Sequence, residues 1–159
     1  MSLDPTLPLA RIVSGGQTGA DRAALDWAIE YGVEHGGWCP LGRRAEDGRL
    51  DPKYDLQETP TENYVVRTKW NVRDSDGTVI FSKAPILGGG SKLTADSARN
   101  RGKPWLHISQ SRTPDPAMAL RRFIDEHFIR DLNVAGPRAT SEAGIAEFVT
   151  EVLNNALLA

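Results

Sequence analysis

Two glycine-bearing turns hold the residues best suited to chemistry. The first reads Ser14-Gly15-Gly16-Gln17-Thr18-Gly19-Ala20-Asp21, and the second Leu87-Gly88-Gly89-Gly90-Ser91-Lys92-Leu93-Thr94. Each follows a short apolar run and leads into a helical pattern. Glycine lets the main chain turn sharply and approach a ligand closely, because it carries no Cβ. The first amides of the helix behind such a turn have no partner inside it, and they sit at the positive end of its dipole. That combination suits an anion, above all a phosphate. In the second turn, the hydroxyls of Ser91 and Thr94 and the ammonium of Lys92 add to the same chemistry.

The G-G-x-x-G spacing of the first turn is neither the dinucleotide fingerprint G-x-G-x-x-G nor the P-loop G-x-x-x-x-G-K-[ST]. Thr18 and Asp21 fit a helix N-cap with its partner three residues on. Asp21 has a second reading. A carboxylate at a helix start is favoured by the dipole but repels a bound phosphate. It either caps the helix or faces a hydroxyl, an amine or a metal-bridged part of the ligand.

Residues 41–60 are densely charged, with Arg43, Arg44, Glu46, Asp47, Asp51, Asp55 and Glu58, and show little periodicity. A structureless stretch of that length is uncommon in a compact domain and is either functional or mobile. It leaves the end of the second predicted strand, where an open α/β sheet keeps its ligand crevice. It reads either as a solvated loop or as a lid. In a lid, Arg43 and Arg44 hold anionic oxygens, while Glu46 and Asp47 take donors on the ligand.

The surrounding pattern predicts strands over residues 10–14, 37–40, 78–82, 103–109 and 132–137. Helices are predicted over 20–31, 62–73 and 94–101, after Asp115, and after the polar turn 138–142. Thr61, Asp115, and Thr140 or Ser141 are the expected caps. This alternation implies one α/β domain, a doubly wound Rossmann-like fold. Its five-stranded parallel sheet is expected in the order 2-1-3-4-5 with helices on both faces. The first and third strands are then neighbours, and both glycine turns flank one crevice at the switch point. Residues 1–9, with Pro5 and Pro8, read as a loose arm ahead of a ligand-binding domain over residues 10–159.

A chain of 159 residues is long enough for one sizeable core. Nineteen basic and 21 acidic residues leave a net charge of −2, so no basic field argues for nucleic acid. The single cysteine, Cys39, excludes an internal disulfide and fits a reducing compartment. No apolar run is long enough to span a membrane, and the first residues lack a secretory signal. A cytoplasmic protein is expected, with neither nucleic acid nor membrane as a partner. Trp70 and Trp105 are natural interface candidates for a homo-oligomer.

One family matches these residues. Residues 12–22, Trp38-Cys39-Pro40, Gly42-Arg43, Glu46-Asp47-Gly48, Tyr54, Leu56, Glu58, Arg67, Asn71-Val72, residues 74–78 and the turn 88–94 together resemble the molybdenum cofactor carrier family. That family belongs to the Rossmann-like SLOG superfamily, with the YpsA-like proteins and the lysine-decarboxylase-like nucleotide phosphoribohydrolases. The resemblance implies homo-oligomers, dimeric or tetrameric. It also implies a site for the molybdenum cofactor (molybdopterin) as cargo, whose pterin carries a phosphate, or for a nucleotide-derived ligand. Carried over by position, the binding residues are Gly15, Gly16, Gln17, Thr18 and Gly19 in the first turn, and Gly89, Gly90, Ser91 and Thr94 in the second. The phosphoribohydrolases resemble one another in a P-G-G-x-G-T-x-x-E loop with a catalytic glutamate. The matching stretch here, residues 87–97, has no glutamate in that place. A carrier or sensor of a phosphorylated small molecule is therefore the leading expectation. The alternative is a nucleotide-processing enzyme, an N-glycosidase or phosphotransferase, with Glu46, Asp47 or Asp21 as acid/base or holding Mg²⁺.

Overall fold

Five short strands pair side by side in the computed structural model, which describes residues 1–159. They are β1 (Arg11–Val13), β2 (Glu34–Gly36), β3 (Gly77–Ser82), β4 (Trp105–Ser109) and β5 (Asp131–Ala135). Every pairing among them is parallel. All six residues of β3 are buried, as a strand covered on both faces must be. The helices are α1 (Ala20–Glu30), α2 (Tyr64–Arg73), α3 (Gly89–Asn100), α4 (Pro116–Glu126) and α5 (Ile145–Leu157). Helix α5 packs between α1 and α4, and α2 packs on α3, which makes the two helical layers. The main core joins Ile12, Val79, Phe81, Leu132 and Val134 of the sheet to Trp27, Leu120, Phe148 and Leu153 of the helices.

The strand order is β2-β1-β5-β3-β4, not the expected 2-1-3-4-5. The last strand inserts at the centre, with Leu132 opposite Ile12 and Val134 opposite Val79. Buried parallel strands carry similar apolar runs, so no local signal marks which two are neighbours. Placing β5 and α5 ahead of β1 turns the order into 3-2-1-4-5, the first five strands of the dinucleotide-binding order 3-2-1-4-5-6. The chain ends make such a join short. Leu3 bridges to Leu158, and Ala159 N–H donates to the Ser2 carbonyl at 2.9 Å.

Several local expectations shift. Residues 1–9 are docked rather than loose. Leu7 and Leu9 are buried, and Asp4 accepts hydrogen bonds from Arg121 and Thr6. The second strand lies at Glu34–Gly36, ahead of the expected 37–40. Gly37, at φ 134°, turns the chain out of the sheet. Beyond it, Trp38–Cys39 pairs with Gln57–Glu58, and Arg44–Ala45 pairs with Gly48–Arg49. This segment has a small core of its own, formed by Leu25, Cys39, Leu50, Tyr54 and Leu56. Asp115 caps α4 as expected, but Asn63 rather than Thr61 caps α2, and left-handed Gly144 precedes α5 in place of Thr140 or Ser141. Trp70 and Trp105 are only half-exposed, each lying beneath a guanidinium, from Arg73 and Arg99.

Candidate functional site

A cleft of about 410 Å³ opens where β1, β5 and β3 end, with Gly15, Gly136 and Ala84 among its lining residues. It sits at the β5/β3 boundary, the switch point of the rearranged order, where an open α/β sheet holds its ligand. Its volume suits a small molecule. Only three of the twenty lining residues are apolar and none is aromatic, so the cleft offers chiefly hydrogen-bonding and charged groups. Both glycine turns reach it. The first contributes Gly15, Gln17 and Asp21, and the second Gly88, Gly89, Gly90, Ser91 and Thr94. Strand β5 lies between β1 and β3 and still leaves the two turns facing one space.

The second turn is the first turn of a helix. Helix α3 starts at Gly89, five residues ahead of the expected start, and Gly88 caps it without a side-chain hydrogen bond. The amides of Ser91 and Lys92 return to the Gly88 carbonyl at 3.2 and 3.4 Å. Those of Gly89 and Gly90 donate to nothing in the chain. A Cβ at Gly88, Gly89 or Gly90 would meet no atom within 4 Å. This is bare main chain at the positive end of a helix, facing a cleft. Thr94 Oγ1 donates to the Gly90 carbonyl at 2.9 Å and steadies the turn. Lys92 lies on the surface beside Asp96, 3.9 Å away.

The glycines of the first turn face protein instead. A Cβ at Gly16 would fall 2.8 Å from Leu50 Cδ1 and 2.9 Å from Leu56 Cδ1. One at Gly19 would fall 2.5 Å from the Pro137 carbonyl oxygen, and one at Gly15 would strike Arg67. Gly16 and Gly19 both have positive φ, 83° and 82°. Thr18 does not cap α1, because Gly19 holds that position. Its Oγ1 donates to Glu46 at 2.8 Å and accepts from Ala139 N–H at 3.1 Å, away from the cleft. Asp21 is not the capping partner either: it accepts the Gln17 N–H at 3.2 Å, two residues ahead of the cap.

None of the charged residues of 41–60 lines the cleft. Arg43 donates to four main-chain carbonyls, those of Leu50, Asp51, Tyr54 and Leu56, and so gathers the segment around itself. Arg44 pairs with Glu62 on the surface. Glu46 accepts from Thr18 and Thr140. Burial opposes its charged form, but those hydrogen bonds and Arg138 outweigh it and hold the carboxyl below the usual range. Asp47 takes two hydrogen bonds from Arg22, at 2.9 and 3.0 Å, which lower its pKa. Arg22 in turn donates to the Gly16 carbonyl. The segment is a buttress fastened behind the first turn, not a lid. Neither Glu46 nor Asp47 is placed to act as acid or base on a ligand in the cleft.

Helix α2 supplies residues that carry the family resemblance but that the sequence alone did not assign to the site. Arg67, 8% exposed, donates from Nη1 to the Gly15 carbonyl at 2.9 Å and lies 3.4 Å from Asp21 Oδ2. Its Nε has no partner. Gln17, 4% exposed, uses Oε1 to accept from Thr18 N–H and Glu46 N–H, which leaves Nε2 without an acceptor. Each unmade buried hydrogen bond costs about 1–3 kcal/mol until something supplies the acceptor. Asp21 is buried against this pair. Burial pushes its carboxyl up, against the pull of Arg67. The signal for Arg67 was its four-residue spacing from Asn71, which also lines the cleft.

The fold is that of a Rossmann-like domain whose last βα unit precedes the first in the undisturbed order. The chain belongs to the circularly permutated YpsA SLOG family, whose model matches residues 12–157. It is also similar to the crystal structure of a "Putative molybdenum carrier protein" from Syntrophus aciditrophicus SB. The TM-score is 0.92 and the identity 46%, over 94% of this chain and 96% of that one. No curated protein matches the chain. No helix is long and apolar enough to cross a membrane.

Proposed function

We propose that this chain is a binding protein that holds a phosphate-bearing small molecule in the cleft, with the molybdenum cofactor as its cargo. The observation that carries the reading is the set of unsatisfied donors around one space. These are the Gly89 and Gly90 amides at the start of α3, which face the cleft, and behind them Gln17 Nε2 and Arg67 Nε, which are sealed inside its wall. The amides and the Ser91 hydroxyl take the phosphate. Gln17 and Arg67 border the rest of the ligand, and Asp21 takes an N–H or O–H. The cargo's chemistry fits this polar lining. No three His, Cys, Asp or Glu side chains converge on one point, so these donors suit the phosphate and polar edges of a pterin rather than a bare metal ion. The family and the carrier named among its similar structures support the same assignment.

Titration calorimetry with molybdenum cofactor, ADP-ribose and inorganic phosphate tests the reading. The cofactor is expected to bind, and Gly90→Val to weaken it at least about tenfold, because a side chain there occupies the approach to the amides. Tighter binding of ADP-ribose would move the assignment to a nucleotide sensor. No binding of any of the three at millimolar concentration would overturn it.

A further inference from the structure

Glu142 differs from the other charged residues of the cleft. Its carboxylate sits on two consecutive main-chain amides. Lys83 N–H is 2.6 Å from Oε1 and 3.3 Å from Oε2, and Ala84 N–H is 3.2 Å from Oε1. Both amides lie just past the end of β3, at the switch point. Successive amides at such a bend form a concavity for an anion. Lys83 adds its own charge nearby, its ammonium donating to the Ala143 carbonyl at 2.8 Å. The loop carrying Glu142 ends at Gly144, whose φ of 83° marks a sharp bend before α5. Ala84, Gly89, Gly90 and Glu142 all line the one cleft. Gln17 Nε2 and Arg67 Nε, more than nine-tenths buried in its wall, find no acceptor. Those two donors go without an acceptor, yet the cleft has placed an anion of its own on this amide pair.

We propose that the amides of Lys83 and Ala84 form a second anion subsite, filled in the free chain by Glu142. This rests on the reading that phosphate binds at the start of α3. The connection between β3 and α3 then carries an anion subsite at each end, at residues 83–84 and 89–90. A ligand with one phosphate uses the α3 end and leaves Glu142 in place. A diphosphate, or a phosphate joined to a second anionic group, displaces the carboxylate and takes both. Glu142 thereby sets a threshold against singly anionic ligands.

The test titrates wild type, Glu142→Ala, Glu142→Gln and Gly90→Val with inorganic phosphate and with pyrophosphate. Glu142→Ala is expected to raise pyrophosphate affinity about tenfold by removing a like charge, and phosphate affinity less than about twofold. Glu142→Gln keeps an acceptor on the amides without the charge and falls between. In ¹⁵N-labelled wild type, pyrophosphate moves the Lys83 and Ala84 amide resonances and phosphate does not. That readout stands even if the alanine variant fails to fold. Unmoved Lys83 and Ala84 resonances, or equal affinities in wild type and both Glu142 variants, overturn the proposal. If Gly90→Val still weakens phosphate in that case, the α3 reading survives. If no variant binds either anion, both fall.

Discussion

The two glycine turns look alike in sequence and differ in what their glycines face. In the first, the missing Cβ atoms of Gly16 and Gly19 leave room for Leu50, Leu56 and the Pro137–Ala139 main chain. In the second, Gly88, Gly89 and Gly90 face empty space. The first turn is glycine-rich because protein packs against it. The second leaves its main chain bare at the point where helix α3 begins. The first turn's contribution to binding comes from side chains, Gln17 and Asp21, with Arg67 behind them. The second offers its main-chain amides.

The largest expected effect lies behind the first turn. Arg67→Met leaves the Asp21 carboxylate buried without its cation, at a cost of about 3 kcal/mol or more in urea unfolding at pH 7. Asp21 already has a raised pKa in the folded chain, so its charged form is the disfavoured one. Losing Arg67 raises it further, so the loss is full above the variant's value and eases as pH falls from there through the wild-type value. Unfolding followed as a function of pH should give a loss that shrinks toward acid.

Gly19→Ala comes next. With φ at 82° and a carbonyl oxygen 2.5 Å from the new Cβ, it should cost about 2–4 kcal/mol. The protein that remains folded should bind phosphate normally. Gly90→Val sharpens the contrast, because it should change stability by no more than about 1 kcal/mol while losing phosphate affinity. A Gly19 variant that binds poorly while fully folded, or a Gly90 variant that binds well, would erase the distinction between the turns.

The smallest effect belongs to a residue remote from both. Hydrogen bonds from Arg121 and Thr6 pull the Asp4 carboxyl from 3.8 to about 2. Its contribution to stability is thus complete above pH 3.8 and lost as pH falls toward 2. Asp4→Asn should lower the melting temperature modestly at pH 5, flatten the acid limb of the melting curve, and leave phosphate binding unchanged.

Fold class was legible because five apolar runs alternate with helical patterns and carry breakers between them. Strand order was not, because the partner of a buried parallel strand is chosen by packing far along the chain. Likewise, the sequence shows that Gly16 and Gly90 are glycines but not which way the absent side chain would point. The start of α3 was hidden because consecutive glycines are poor helix formers, and only their place at the helix end makes them tolerable. Arg43, Glu46 and Asp47 looked like ligand contacts because charge density in a long loop suggests function. Their partners, a fan of carbonyls, Thr18 and Arg22, exist only once the segment has folded. Arg67 and Asn71 were within reach of helical spacing, though nothing in the sequence says that their face of α2 meets the first turn.

The most direct test follows the amide resonances of ¹⁵N-labelled wild-type protein as inorganic phosphate is added. The account predicts that Gly89 and Gly90 move along saturable curves while Gly16 and Gly19 stay in place. Saturable shifts at Gly16 and Gly19 with Gly89 and Gly90 unmoved would contradict it.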